Sequence, residues 1–389
     1  MDNKSTATPS TKQFEFIVVG GGITGASAAY YLSKSGADVA LLEKSDLNTQ
    51  ASGRNAGSLH GQIQFEPFEQ LGIDWATSFL PALSFLADSV KVWSTLSSEL
   101  DTDLETSFHG GIMVAETEED LKQLHAKVEL EKSVGINSVL LNKDELHAKA
   151  PYVSENMIGA AFCPIEGKAN PLLATPAFAR QARINGASIR TGVELVHAQR
   201  QGSGFSLTTS EGEYRCKTLV LTSREALSRL SQSQVPSQSI VDGPVQVSVT
   251  EQVEKFVSYL FYFTGGKLTL KQAKSGSLLI GGGWPAHVDK NGVASLSPES
   301  LRSNLGVALK VVPALSSVKV IRTWIGVGNE TPDHRPMLGE IPGTPGAFFG
   351  LFPAMGFSAG PLMGHTLAEL ALTDRSSRDL SKFALNRFK

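Results

Sequence analysis

A chain of 389 residues with 41% apolar and 19% charged residues is long enough for two domains and a large core, and its composition excludes a disordered or fibrous protein. Thirty-five basic against 38 acidic residues leave a formal charge of −3, which gives no electrostatic case for nucleic acid or an anionic membrane surface. The two cysteines, Cys163 and Cys216, stand far apart without CxxC or ligand-like histidine spacing; two reduced structural thiols in a cytoplasmic protein are expected, and no metal site.

The first thirteen residues, MDNKSTATPSTKQ, are polar and lack the apolar core of a signal peptide, so a frayed tail is expected there. No run approaches the roughly 18 apolar residues of a membrane span. Residues 16–43 then read as strand, glycine turn, helix, strand. Phe16, Ile17, Val18 and Val19 lead into Gly20-x-Gly22-x-x-Gly25, a helical segment that stops at Gly36, and an apolar run closing on Glu43. Gly20 permits the tight turn, Gly22 removes the Cβ that would block a pyrophosphate, and Gly25 lets the helix lie close on the sheet. The phosphates would rest on free N–H groups at the helix N-terminus. Glu43 stands where a carboxylate accepts hydrogen bonds from a ribose 2′-OH, which favours a dinucleotide without a 2′-phosphate.

The next stretch, KSDLNTQASGRNAGSLHGQIQF, is small and polar. It reads either as a long surface loop or as a segment packed on a large flat ligand, with Arg54 supplying donors to a phosphate; its place directly after the ribose-binding strand favours the ligand. Phe79, Leu83, Leu86, Val90 and Trp93 recur at three and four, which predicts a core-facing helix over 78–100. A strand at 110–115 and a charged helix at 118–133 follow. Asn170-Pro171 opens a helix reaching 185, and 187–193 reads as a strand. Strands are expected at 207–209 and 218–222, then a polar, turn-rich crossing between domains at 229–244. Residues 245–283 are β-rich, with KLTLKQ and SLLIGGG joined by a Lys274-Ser275-Gly276 turn. A helix at 298–309 and a strand at 318–324 precede an ending, FFGLFPAMGFSAGPLMGHTLAELAL, that repeats the opening order of strand, glycine-rich turn and helix, the helix expected from about Gly360 or Pro361.

Taken together, the opening βαβ unit, the SGRNAG loop, Thr331-Pro332-Asp333 with Pro336 and Gly339, and the GFSAGP-to-helix ending resemble the D-amino-acid oxidase family of flavoproteins. Within it, KLTLKQ, SGSLLIGGGW and GFSAGPLMG are most similar to the flavin subunit of bacterial nopaline and octopine (opine) oxidases. The resemblance implies a two-domain α/β fold: a Rossmann-like FAD-binding domain of the kind shared with glutathione reductase at 14–75, 151–228 and 330–389, and a β-sheet substrate domain at 76–150 and 229–329. It implies noncovalent FAD, since no cysteine occupies the C-terminal attachment region, and oxidation of an amine to an imine that hydrolyses. Companion subunits are implied too, and any FMN or iron–sulfur centre would belong to them. Carried onto this chain, Gly20, Gly22, Ile23, Thr24, Gly25, Glu43 and Lys44 would hold the ADP half of FAD. Ser52, Gly53, Arg54, Asn55, Ala56, Gly57 and Ser58 would run beside the ribityl chain and ring, Val193 against the adenine, and Gly356, Phe357, Ser358 and Gly360 at the pyrimidine end of the flavin.

The chain departs from the family pattern at several places. Glycine- and proline-oxidising relatives carry an arginine that pairs with the substrate carboxylate where this chain has Gly328, so a carboxylate substrate is expected to be held by another cation, Arg322 or Arg335, or through neutral donors. Thr269 replaces a ring-contacting tyrosine, and Thr222-Ser223-Arg224-Glu225-Ala226 replaces a small-residue turn near the FAD. The SLLIGGG strand lacks the lysine associated with oxygen activation, which favours a dehydrogenase. His60, Gln62, Tyr262, Thr269, Trp324 and Met355 are the candidates for the substrate pocket; His109, His334 and His365 show no triad or metal pattern. A free-standing D-amino-acid, glycine or sarcosine-type oxidase using O₂ and a non-catalytic subunit that keeps the flavin fold remain the rival readings.

Overall fold

A computed structural model describes residues 11–236 and 239–388. Most of the expected tail, and part of the expected crossing at 229–244, lie outside the described residues. The first strand opens at Lys12 rather than Phe16, because Lys12, Gln13 and Phe14 still pair with Tyr214, Arg215 and Cys216. Its second half, Phe16–Val19, is buried on both faces, as a parallel strand between helical and β layers must be.

Two eight-stranded sheets organise the chain. The first runs in the order Met337–Glu340, Ala347–Leu351, Gly212–Leu221, Lys12–Val19, Val39–Glu43, Ser188–Thr191; all but the first of these strands pair in parallel, and the hairpin Leu195–Gln201 and Gly204–Thr209 adds to Gly212–Leu221. The helices Ile23–Lys34, Pro171–Ile184 and Gly356–Thr373 bury one face of it. The second sheet runs Val320–Glu330, Val241–Gln252, Ser277–Gly281, Gly266–Gln272, Leu260–Phe263, Gly111–Ala115, Gly159–Cys163, Val139–Asn142, with the helix Pro298–Val311 over a core of its own.

Sheet membership departs from the expected domain ranges at two places. Gly159–Cys163, expected with the nucleotide domain, pairs with Gly111–Ala115 in the second sheet. The helix expected at 78–100 spans Phe65–Glu99, and its buried face (Phe79, Leu83, Leu86, Trp93) joins the core of the first sheet's helices, beside Gly356–Thr373. Gly72, at φ 74°, bends this helix between its first two turns and the rest, which hides those turns from a periodicity reading. Val320–Glu330 is longer than the expected 318–324: antiparallel pairing with Val241–Gln252 carries it to Glu330, opposite Val241, with Gly328 opposite Gly243.

Candidate active site

The glycine turn closes through backbone and side chains from three segments. Gly20 takes φ 115°, and a Cβ on Gly25 would lie 1.9 Å from the Gly20 carbonyl oxygen. The N–H of Ile23 donates to Ser52 Oγ (2.9 Å), and a Cβ on Gly22 would fill the same space, 2.9 Å from that oxygen. Glu43 accepts from the N–H of Gly21 (2.6 Å) and of Ser45 (2.8 Å). The helix Ile23–Lys34 has no side-chain cap, and among the described residues the N–H groups of Gly22, Thr24 and Gly25 have no partner. A cavity of about 840 Å³ opens here, lined by Gly20, Gly22, Glu43, Lys44, Ser52, Val193 and Thr222. Lys44 meets Glu225 in an ion pair at its mouth.

Thr222, which stands where a small residue was expected, turns its hydroxyl away into the turn: Oγ1 donates to the carbonyl of Val19 (3.0 Å). Ser223 caps the short helix Arg224–Ser228, and Arg224 pairs with Asp242 at 2.7 Å. The polar side chains of this departure are thus taken up by local structure.

The segment 51–57 separates this cavity from a second one of about 780 Å³. Ser52 borders the first cavity, while Gly53, Arg54, Asn55 and Ala56 border the second. Arg54 spends its Nε–H on the Thr49 carbonyl (2.7 Å), and its own carbonyl accepts from Trp324 Nε1 (2.7 Å). Gly57 takes φ 78° with its Cα against the Ala169 carbonyl, and Asn55 Oδ1 accepts its N–H at 2.7 Å.

The second cavity is rich in cations. Lys168, Lys271, Arg322 and Arg54 line it against the carboxylate of Glu105, and Trp324 stands in its wall. Lys271 is buried and donates to Ser58 Oγ at 2.7 Å; burial and the charge of Lys168 bring its pKa down to about 7. Lys168, itself lowered by burial, donates to the Gln272 carbonyl. Of the two cations named from sequence, Arg322 faces this space. Arg335 does not: it is bound to Asp333 (2.8 Å), which Arg387 also holds at 2.8 Å. Thr269 lies two positions from Lys271, on the same face of the strand, with Oγ1 beside Gly281.

At the C-terminal end the helix starts at Gly356, a turn earlier than expected, so Pro361 falls in its second turn and leaves one helical carbonyl without its usual donor. The N–H groups of Gly356, Phe357 and Ser358 have no partner among the described residues, and Gly356 faces open space. Met355 and Phe357 are buried, the latter ring 4.9 Å from Trp93. Gly360 is turned to the other glycine-turn helix, where a Cβ would lie 2.4 Å from Ile23. Gly364 makes the same approach to Ser27, so the two helices run parallel and present their uncapped N-termini at one edge.

Ser358 joins this helix to the loop after segment 51–57: its Oγ donates to the Ser58 carbonyl (3.1 Å) and accepts from the N–H of His60 (2.9 Å). His60 Nδ1 is 2.8 Å from Tyr262 Oη, and Tyr262 donates to Glu166 at 3.0 Å. Gln62 is fully buried behind this pair, its amide N–H donating to Glu166 (2.6 Å) and its carbonyl accepting from Lys127 (2.7 Å). Sequence reasoning picked His60, Gln62 and Tyr262 but missed Glu166, Lys127, Glu131 and Lys271. Only the Lys127 and Glu131 pair carries a local signal, the four-residue spacing of an ion pair on one helix face.

A family model described as FAD dependent oxidoreductase (DAO) matches residues 15–370. The chain belongs to this family. It is 26% identical to the glycine oxidase of Geobacillus kaustophilus over 97% of this chain and 98% of that one. It is 25% identical to an opine oxidase subunit of Rhizobium meliloti, again over 97% and 98%. The fold superposes on the L-proline dehydrogenase from P. horikoshii with a TM-score of 0.85 and 22% identity, covering 97% of this chain and 98% of that structure. As a member of the DAO family the protein is an FAD-dependent oxidoreductase. The residues present fit that cofactor: a Cβ-free cradle at Gly22, a carboxylate at the end of the second strand, and unpartnered amides at two parallel helix starts.

No helix among the described residues is long and apolar enough to cross a membrane.

Proposed function

We propose that the protein oxidises a secondary amine bearing carboxylate groups, an opine or related N-alkyl amino acid, to an imine that hydrolyses to an amino acid and a keto acid. The observation that carries this reading is the second cavity, whose wall holds Lys168, Lys271 and Arg322 against Glu105 beside the loop that leads to His60. A cationic wall of this kind replaces the single arginine missing at Gly328 and suits a substrate with more than one carboxylate. FAD bound across the two helix starts would supply the acceptor for a hydride from the carbon next to nitrogen. The chain's own part is to hold the carboxylates, to set that carbon against the ring, and to keep the amine neutral.

Gly20, Gly22, Ile23, Thr24, Gly25, Glu43, Lys44 and Val193 would hold the ADP half, segment 52–58 the ribityl chain, and Gly356, Phe357 and Ser358 the ring's pyrimidine end. Trp324 and Thr269 would wall the substrate, with Met355 beneath the helix start. Membership of a larger assembly is supported by the Rhizobium meliloti relative, whose name makes it one subunit of an opine oxidase, and companion chains would then carry electrons onward. Anaerobic reduction of the yellow protein by octopine or nopaline is the test. A panel of opines, N-methyl amino acids and imino acids that all left the flavin oxidised would overturn the reading. Peroxide formed by the isolated chain would favour a free-standing oxidase instead, as the match to glycine oxidase along the whole chain allows.

A further inference from the structure

A continuous buried polar chain starts at His60, two residues after Ser58, whose hydroxyl accepts from the cavity-lining Lys271. Glu166 Oε1 accepts from the N–H of Gly61 (2.8 Å) and from Tyr262 Oη (3.0 Å), and Oε2 accepts from Gln62 Nε2 (2.6 Å). The Gln62 amide cannot be turned round, because its carbonyl receives Lys127 Nζ at 2.7 Å. Lys127 in turn meets Glu131 at 2.7 Å, and Glu131 accepts the N–H of Ile63 at 2.8 Å. Glu166 therefore receives three donors and offers none, which makes it a carboxylate in this arrangement.

These directions fix the proton on His60. Tyr262 spends its only O–H on Glu166, so its oxygen must accept from His60 Nδ1 at 2.8 Å, and Nδ1 carries the hydrogen. Nε2 is left with its lone pair. It has no partner among the described residues and is not one of the fully buried unpaired atoms. Burial and the nearby charge of Lys271 push the imidazole down to about 3, so the ring is neutral at working pH and conducts a proton rather than storing one. Burial holds Glu166 up at about 7, the range in which a carboxylate both accepts and releases protons.

We propose that His60, Tyr262 and Glu166 form a proton relay that removes one proton from the substrate ammonium before its carbon is oxidised, with Glu166 as the final acceptor; this rests on the amine reading above. The ammonium N–H proton passes to His60 Nε2, the Nδ1 proton to Tyr262 Oη, and the Tyr262 proton to Glu166 Oε1. With FAD bound as the two-electron oxidant, the neutral amine would then give up its α-hydrogen with both electrons and leave as an iminium, which water hydrolyses. The proton on Glu166 returns by the same path to a water molecule at Nε2. His60 touches the substrate; Tyr262 and Glu166 act through it. The charged and titratable groups around Glu166 are His60 on the loop before it, Tyr262 on Leu260–Phe263, Cys163 on Gly159–Cys163, Lys127 and Glu131 on Glu118–Ser133, and Lys271, next to His60, on Gly266–Gln272.

The test uses the flavin-loaded protein and an amine that bleaches it. In the wild type the anaerobic reduction rate should fall with unit slope as pH drops through about 7. Glu166→Gln and Tyr262→Phe should lose that inflection and be slowed about 100-fold at mildly alkaline pH. Activity is not the only readout: in the wild type, with or without flavin, the infrared band of a protonated carboxyl should grow in over the same pH range, and it should be missing in Glu166→Gln. Tyr262→Phe keeps the ring in place, so it decides the matter if Glu166→Gln does not fold. Variants that bind flavin normally and retain the wild-type acid limb, or a carboxyl band that does not titrate there, overturn the relay alone. If no amine bleaches the wild type, the amine reading fails and takes the relay with it.

Discussion

A methyl group on Gly25 would sit 1.9 Å from the Gly20 carbonyl oxygen and 2.9 Å from Thr222 Oγ1. No side-chain rotation relieves a contact between a Cβ and backbone, so the turn itself must open. Gly25→Ala is therefore expected to cost about 1–3 kcal/mol and to strip the flavin, read as a lower urea midpoint and a loss of visible absorbance per protein. Gly306, exposed on the helix Pro298–Val311 with nothing near its Cα, is the control: Gly306→Ala should stabilise by about 0.4–1 kcal/mol and leave the flavin in place. Equal behaviour of the two variants would show that Gly25 is not tightly enclosed. The need for such a glycine is local, fixed by a few neighbouring residues, and it was legible from spacing alone. Glu166 was not, because its partners Tyr262 and Gly61 lie 96 and 105 positions away. A buried charge is recognised by what surrounds it, and no sequence window contains that.

The helices Ile23–Lys34 and Gly356–Thr373 extend this argument from a residue to an element. Their parallel contact rests on Gly360 against Ile23 and on Gly364 against Ser27 and Ala28, where a Cβ would lie 2.5–2.6 Å from the facing atoms. The contact is sealed by Ser27 Oγ donating to the Pro361 carbonyl at 2.9 Å. Gly364→Ala sits well away from the helix start, yet it should separate the helix pair, cost about 1–3 kcal/mol and weaken flavin retention. Unfolding followed at two flavin concentrations distinguishes the effects, because lost affinity recovers with excess ligand and lost packing does not. Flavin binding unchanged from wild type would mean that the two helix starts do not share one ligand. Strand, turn and helix at both ends were readable from apolar runs and glycines. The exact start of the second helix was not, since Pro361 suits a first turn by propensity and is held in the second by packing against Ile23–Lys34.

At the scale of the whole molecule, the two sheets meet around groups whose charges are buried together, and their linked titrations set how stability responds to pH. The alternation of the segments between the sheets was visible only in outline, because Gly159–Cys163 and the helix Phe65–Glu99 look alike in sequence whichever sheet receives them. Their burial has a measurable consequence. Glu166 rises from 4.5 to about 7, so between those values the native state holds a proton that the unfolded chain releases, and its contribution is lost as pH rises. His60 falls from 6.5 to about 3, so there the unfolded chain holds the extra proton and stability grows with pH. The two slopes oppose each other from about pH 5 to 6.5, where the wild type should be nearly flat. Lys271 falls from 10.5 to about 7; its contribution is present at high pH and lost as pH falls towards 7, so stability should climb between pH 7 and 9 by an order of 2–3 kcal/mol. Above pH 9 the buried thiols Cys163 and Cys216, both pushed up by burial, begin to act in the opposite sense. Urea midpoints at saturating flavin should then show a plateau followed by a rise. Lys271→Met should remove most of the rise and leave the part that belongs to Lys168, whose ammonium is also disfavoured by burial, and Glu166→Gln should turn the plateau into an upward slope by leaving His60 unopposed. A rise of undiminished size in Lys271→Met would mean that this ammonium is hydrated in the folded protein, and the cationic wall of the second cavity would have to be redrawn without it.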